Sequence, residues 1–103
     1  MIELLALPGW QAPPTTLDTW VEQLIAVAGP VTVSRESKEA TWLEAGGLGF
    51  RGYAVTRGTR VEAVNFELTG PDPEAATRVI EAAARALGWE VHADEEDDEA
   101  END

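Results

Sequence analysis

Apolar and polar positions along the chain form a pattern that predicts six strands and two helices. The strand segments alternate or form short apolar runs, and they are residues 2–7, 31–35, 40–45, 48–55, 59–68 and 89–93. Apolar residues recur at three- and four-residue spacing in two other segments, 15–28 and 73–87, which predicts amphipathic helices there. The predicted order of elements is therefore β-α-β-β-β-β-α-β.

Local signals place the helix starts and the core. Thr15 can cap the first helix, and Asp72 followed by Pro73 is a typical start for the second. Trp20 lies on the apolar stripe of the first helix, and Phe66 lies on an apolar face of the fifth strand. We therefore expect both rings to be buried.

The turn between the fourth and fifth strands sets their register. Residues 56–58 suit a three-residue turn, because the glycine at its end can adopt a left-handed conformation. Phe50 then faces Val64 on the core side of the sheet, and Arg51 faces Ala63 on the other side.

The order of elements predicts an α+β fold with both helices on one face of a mainly antiparallel sheet. A strand-helix-strand unit lies at each end of the chain, and right-handed crossovers would place both helices on the same face. We therefore expect a variant of the ferredoxin-like sandwich. Because that architecture carries enzymes and binding proteins alike, it does not indicate a function.

Acidic residues are concentrated at the C-terminal end. The chain has 20 acidic and seven basic residues and a formal net charge of −13, and residues 94–103 hold eight of the acids and no base. We expect residues 1–93 to form a single domain and residues 94–103 to form a disordered acidic tail. An acidic balance disfavours direct binding to nucleic acid or to a membrane, since both depend on clustered lysine and arginine.

Few residues suit catalysis. The chain has no cysteine, and His92 is its one histidine, so no metal or cofactor is predicted.

The apolar run 2–7 is too short for a signal sequence or a membrane span, and a cytoplasmic location is expected. Residues 47–52 match the G-x-G-x-x-G pattern of dinucleotide sites, but a strand is predicted after them, which favours a structural role for the glycines.

Basic residues are concentrated between residues 35 and 60, where five of them stand against three acids. They are Arg35, Lys38, Arg51, Arg57 and Arg60. The excess favours a site for an anion or a carboxylate, and solvated arginines at strand edges are the alternative. Trp10 and Trp42 lie off the helical stripes, and an aromatic side chain beside arginine is typical of a protein-contact surface.

Three functions fit these residues. The first is a non-catalytic interaction module that binds a protein partner or a second copy through the uncovered sheet face or an edge strand. Its predicted contact residues are Trp42, Arg51, Tyr53, Arg57 and Arg60. The second is a small-molecule binding protein or enzyme with a pocket between helices and sheet, where Arg51 or His92 meets an anionic ligand. The third is an acidic decoy for a nucleic-acid-binding protein.

Removal of residues 94–103 is expected to leave the stability of the fold nearly unchanged, because that segment contains no apolar residue larger than alanine. Thermal unfolding of the full chain and of a chain ending at Ala93, followed by circular dichroism in one buffer, measures the difference. A fall of several degrees in Tm would show that the segment packs against the fold.

Overall fold

The computed structural model describes residues 2–93, which form six strands and two helices in the predicted order. The strands are β1 (Ile2–Pro8), β2 (Thr32–Ser37), β3 (Ala40–Ala45), β4 (Phe50–Arg57), β5 (Arg60–Leu68) and β6 (Trp89–Ala93), and the helices are α1 (Leu17–Ala28) and α2 (Pro73–Ala86). The predicted acidic tail, residues 94–103, lies outside the described residues. Within residues 2–93, neither helix has the length and apolarity needed to cross a membrane.

All six strands form one antiparallel sheet in the order β2-β3-β4-β5-β1-β6. Helices α1 and α2 pack together, and their buried side chains join those of one sheet face in a single core. The α+β prediction is confirmed as an open six-stranded antiparallel sheet with two packed helices. In the described part of the chain no helix covers the opposite sheet face, which we call the open face.

Four aromatic rings form a continuous chain through the core. The ring centroids lie 5.9 Å apart for Phe50 and Phe66, 5.8 Å for Phe66 and Trp20, and 5.2 Å for Trp20 and Trp89. Trp20 and Phe66 are both 0% exposed, so their predicted burial is confirmed. Burying one such side chain stabilises the fold by about 1.5–3 kcal/mol.

The predicted register of the β4–β5 hairpin is wrong. Phe50 lies opposite Leu68 instead of Val64, a shift of four residues. The turn has two residues, 58–59, instead of three, and a further irregularity follows Val55. Because the shift is an even number of residues, Phe50 and Val64 keep the core side of the sheet, and Arg51 and Ala63 keep the other side. Val61, beyond the irregularity, lies in the core and not beside Tyr53.

Thr15 does not cap α1. Thr16 does so, and its Oγ1 accepts the backbone N–H of Thr19 at 3.2 Å. Thr15 is instead 5% exposed, and its Oγ1 accepts the indole Nε1–H of Trp89 at 3.0 Å. Its carbonyl oxygen accepts the N–H of Val61 at 2.8 Å. Thr15 therefore ties the loop before α1 to both β5 and β6.

The glycines of the G-x-G-x-x-G string have steric roles. A Cβ added to Gly52 would lie 2.8 Å from Cε1 of Phe66, so the phenyl ring occupies the space above this glycine. Gly49 has a φ of +72° and packs directly on Gly70, whose N–H donates to the Gly49 carbonyl at 2.9 Å. Strand β4 follows the string, so the string does not open a helix whose N-terminus could meet a phosphate group.

Replacing Gly52 with alanine is expected to destabilise the fold by about 1–3 kcal/mol, because the new methyl group overlaps the Phe66 ring. Gly47→Ala is the matched control, since a Cβ there meets no atom within 4 Å. Urea unfolding monitored by circular dichroism gives both free energies. Equal stability of the two variants would mean that Phe66 moves aside at little cost.

Thr15→Val is expected to cost about 1–3 kcal/mol, because the buried indole N–H of Trp89 then lacks its acceptor. Thr15→Ser keeps the hydroxyl and should retain most of the stability. The same urea unfolding measurement separates the two. If the serine variant lost as much as the valine variant, the methyl group of Thr15 would be the important part of the side chain.

Candidate functional site

Two adjacent rows of side chains cross the open face. They follow from the strand register, because residues two apart along a strand share a face. The first, which we call the charged row, consists of Glu44, Arg51, Glu67 and Glu3 on β3, β4, β5 and β1. The second, which we call the aromatic row, consists of Ser34, Trp42, Tyr53, Asn65, Leu5 and His92, one from each strand.

Three of the predicted contact residues meet in one cluster on this face. The ring centroids of Trp42 and Tyr53 lie 4.7 Å apart with the planes at 62°, and the Cζ atom of Arg51 lies 4.6 Å from the centroid of the Trp42 ring. The first contact is an edge-to-face aromatic pair and the second a cation–π contact. Pairing of β3 with β4 brings these side chains together.

Two carboxylates hold the cluster in place. The indole Nε1–H of Trp42 donates to Oε1 of Glu36 at 2.7 Å, and the Nε–H of Arg51 donates to Oε1 of Glu67 at 2.8 Å. The Arg51 side chain is 47% exposed, so this ion pair contributes only about 0–1 kcal/mol to stability. The main effect of the two bonds is to orient the indole and the guanidinium.

Arg57 and Arg60 lie apart from the cluster, opposite each other at the turn end of the β4–β5 hairpin. Both approach the same carboxylate oxygen, Oε2 of Glu62, at 3.8 and 4.0 Å. Arg51 likewise has Glu67 as its partner. The basic excess counted along residues 35–60 is therefore offset by carboxylates from β5, and the hairpin presents no concentrated positive patch within the described residues.

Strand β1 adds apolar area to the open face that the sequence interpretation missed. Leu4 and Ala6 enter the core, while Leu5 and Leu7 point the other way and are half-buried. A strand with one solvated face normally alternates apolar with polar residues, and β1 does not. The apolar run 4–7 is the sequence signal for this, but the same run is equally typical of a strand buried on both faces.

The residues assigned to an anionic ligand do not lie between the helices and the sheet. Arg51 and His92 both belong to the open face, and Nε2 of His92 lies 3.4 Å from Oε1 of Glu90. Core side chains, among them Trp20, Phe66 and Trp89, fill the centre of this space. The hollows at its rim are lined by other residues, among them Arg35, Lys38 and Arg78. In the part of the chain that the structure covers, no three His, Cys, Asp or Glu residues group closely enough to hold a metal ion.

Trp10 lies on the loop that follows β1 and does not belong to either row of the open face. Its side chain is 89% exposed. The loop is fixed by hydrogen bonds from the N–H of Gly9 to the Gly88 carbonyl at 3.1 Å and from the N–H of Ala12 to the Gly9 carbonyl at 2.9 Å. This indole is therefore a solvent-exposed group on a constrained turn.

The open face is a broad, shallow surface with an ordered aromatic and arginine centre and carboxylates beside it. Such a surface offers contact area to another macromolecule and little enclosure to a small ligand. Comparison of the chain with models of known protein families, with curated proteins and with solved structures finds no significant match.

Proposed function

We propose that the protein is a non-catalytic interaction module that binds a protein partner through the open face. The cluster of Trp42, Tyr53 and Arg51, oriented by Glu36 and Glu67, is the observation that carries this proposal. Tryptophan, tyrosine and arginine are the side chains most enriched at the energetic centres of protein interfaces. Side chains that are already ordered lose less conformational entropy when a partner binds.

Apolar side chains around the cluster support the same proposal. Leu5 and Leu7 are half-buried and Val55 is 37% exposed, so a partner that covers the face removes their apolar surface from water. Six strands about 4.8 Å apart make the face about 24 Å wide. The six residue steps from Arg51 to Arg57 make it about 20 Å long. This is about 480 Å² on each partner, the size of a weak or transient complex.

The proposal includes an architecture and a location. The architecture is an enlarged ferredoxin-like sandwich, supported by the position of β1 between β5 and β6, the two strands that α2 connects. The hairpin of β2 and β3 then adds two strands at one edge of the sheet. The proposed location is the cytoplasm, because the apolar run 2–7 is too short for a signal sequence.

Site-specific photo-crosslinking in the protein's own cells tests the contact surface. A benzophenone side chain replaces Tyr53 on the open face or, as the matched control, Glu81 on the exposed side of α2. We expect the probe at position 53 to form an adduct with one protein, identified by mass spectrometry, and the probe at position 81 to form none with it.

Calorimetry with that purified protein then gives the energetic test. Trp42→Ala is expected to weaken binding by about 2 kcal/mol, which is about 30-fold in Kd, because it removes the centre of the cluster. Glu81→Ala should leave the affinity unchanged. Adducts from both probe positions alike, or an unchanged Kd for Trp42→Ala, would place the contact surface elsewhere.

A further inference from the structure

In the charged row three carboxylates share one arginine. Arg51 donates to Glu67 and lies opposite Glu44 on its other side, while Glu3 lies directly opposite Glu67. The Cβ atoms of directly opposite residues are about 4.5–5.5 Å apart, and like charges at that spacing repel. Within residues 2–93, Glu3 forms no ion pair. The row therefore carries negative charge that a cation from outside would balance.

The wider face, including the turn end of the β4–β5 hairpin, also has more carboxylates than arginines. Its carboxylates are Glu3, Glu36, Glu44, Glu62, Glu67 and Glu90, and its arginines are Arg51, Arg57 and Arg60. Six negative against three positive groups leave a net charge of −3 with His92 neutral. Two copies stacked through this face would bring like charges together in chains of formal net charge −13, which disfavours a second copy as the occupant.

We propose that the partner is a basic protein segment whose lysine or arginine side chains pair with the charged row while its apolar side chains cover the aromatic row. This inference rests on the proposed function and adds the chemistry of the partner. An arginine fits between Glu3 and Glu67 because one guanidinium can bond two carboxylates. Tyr53 and Leu5 of the adjacent row then meet the apolar side chains of the segment.

The acidic C-terminal sequence begins at the same end of the sheet. Strand β6 ends at Ala93, which lies opposite Leu4, the residue after Glu3 on β1. The sequence after Ala93 holds eight acidic residues, and this negative charge attracts a basic segment. Charge of this kind raises the rate of association more than it raises the affinity.

NMR titration of the ¹⁵N-labelled full chain with three synthetic peptides of equal length tests the inference. The first peptide alternates arginine with valine and tyrosine, the second replaces every arginine with glutamate, and the third replaces every apolar residue with serine. We expect the first peptide to shift the indole N–H of Trp42 and the amides of Tyr53 and Glu67. The second should shift none of these, and the third should mainly affect residues beyond Ala93.

Charge variants measure the contribution of the row. Glu3→Gln and Glu44→Gln are each expected to weaken the first peptide's Kd by about two- to fivefold, the range for a partly exposed ion pair. Glu22→Gln on the exposed side of α1 is the matched control and should not change it. Added salt should raise the Kd of the first peptide for the wild-type chain. It should also reduce the difference in Kd between the wild-type chain and the two charge variants.

Several results would overturn the inference. Equal binding of the glutamate peptide, or unchanged Kd values for both charge variants, would show that charge does not select the partner. If the first peptide shifted only residues beyond Ala93, all binding would be on the acidic sequence. Shifts of the aromatic row that depend on protein concentration, without peptide, would identify a second copy as the occupant. The proposed function has its own criterion, the difference in crosslinking between positions 53 and 81, so these failures can be told apart.

Discussion

The Phe66 ring packs over Gly52 at the centre of the sheet, and this pairing of the central strands goes with the arrangement of charges on the other side. Phe66 packs between Phe50 and Trp20, and a Cβ opposite it at position 52 would overlap the ring. When Gly52 is opposite Phe66, the next residue toward the N-terminus, Arg51, must lie opposite Glu67. A packing requirement inside the core thereby decides which charges meet on the open face.

Most of the fold follows from local signals in the sequence, and the register does not. The elements depend on periodicity, helix caps and turn residues, all of which act within a few positions. The predicted register would have placed Arg51 opposite Ala63, with no ion pair. In the observed register the phenyl ring of Phe66 lies over Gly52, 14 residues earlier in the chain, and a local pattern does not reveal such a contact. Thr15 shows the same limit, since its contact with Trp89 spans 74 residues and leaves Thr16 to cap the helix.

The candidate site is predictable to the extent that it depends on alternation. Arg51 and Tyr53 are two residues apart on one strand, so they share a face, and Trp42 joins them from the neighbouring strand. Arg57 lies four residues beyond Tyr53, about 13 Å along the strand, which places it outside the cluster. The carboxylates that offset the arginines come from β5 and follow residue 60, so a count over residues 35–60 does not include them.

The four tryptophans occupy environments different enough to act as separate optical reporters. Trp20 and Trp89 are buried in edge-to-face contact, Trp10 is almost fully exposed, and Trp42 is half-buried with its indole N–H bonded to Glu36. Acrylamide is uncharged, so the net charge of the chain does not repel it, and it reaches Trp10 first. A ligand on the open face changes the environment of Trp42 and leaves the buried pair in place, whereas unfolding exposes all three of these indoles to water. Acrylamide quenching of the unlabelled chain therefore distinguishes occupancy of the sheet, which protects Trp42, from loss of the core, which makes Trp20 and Trp89 accessible.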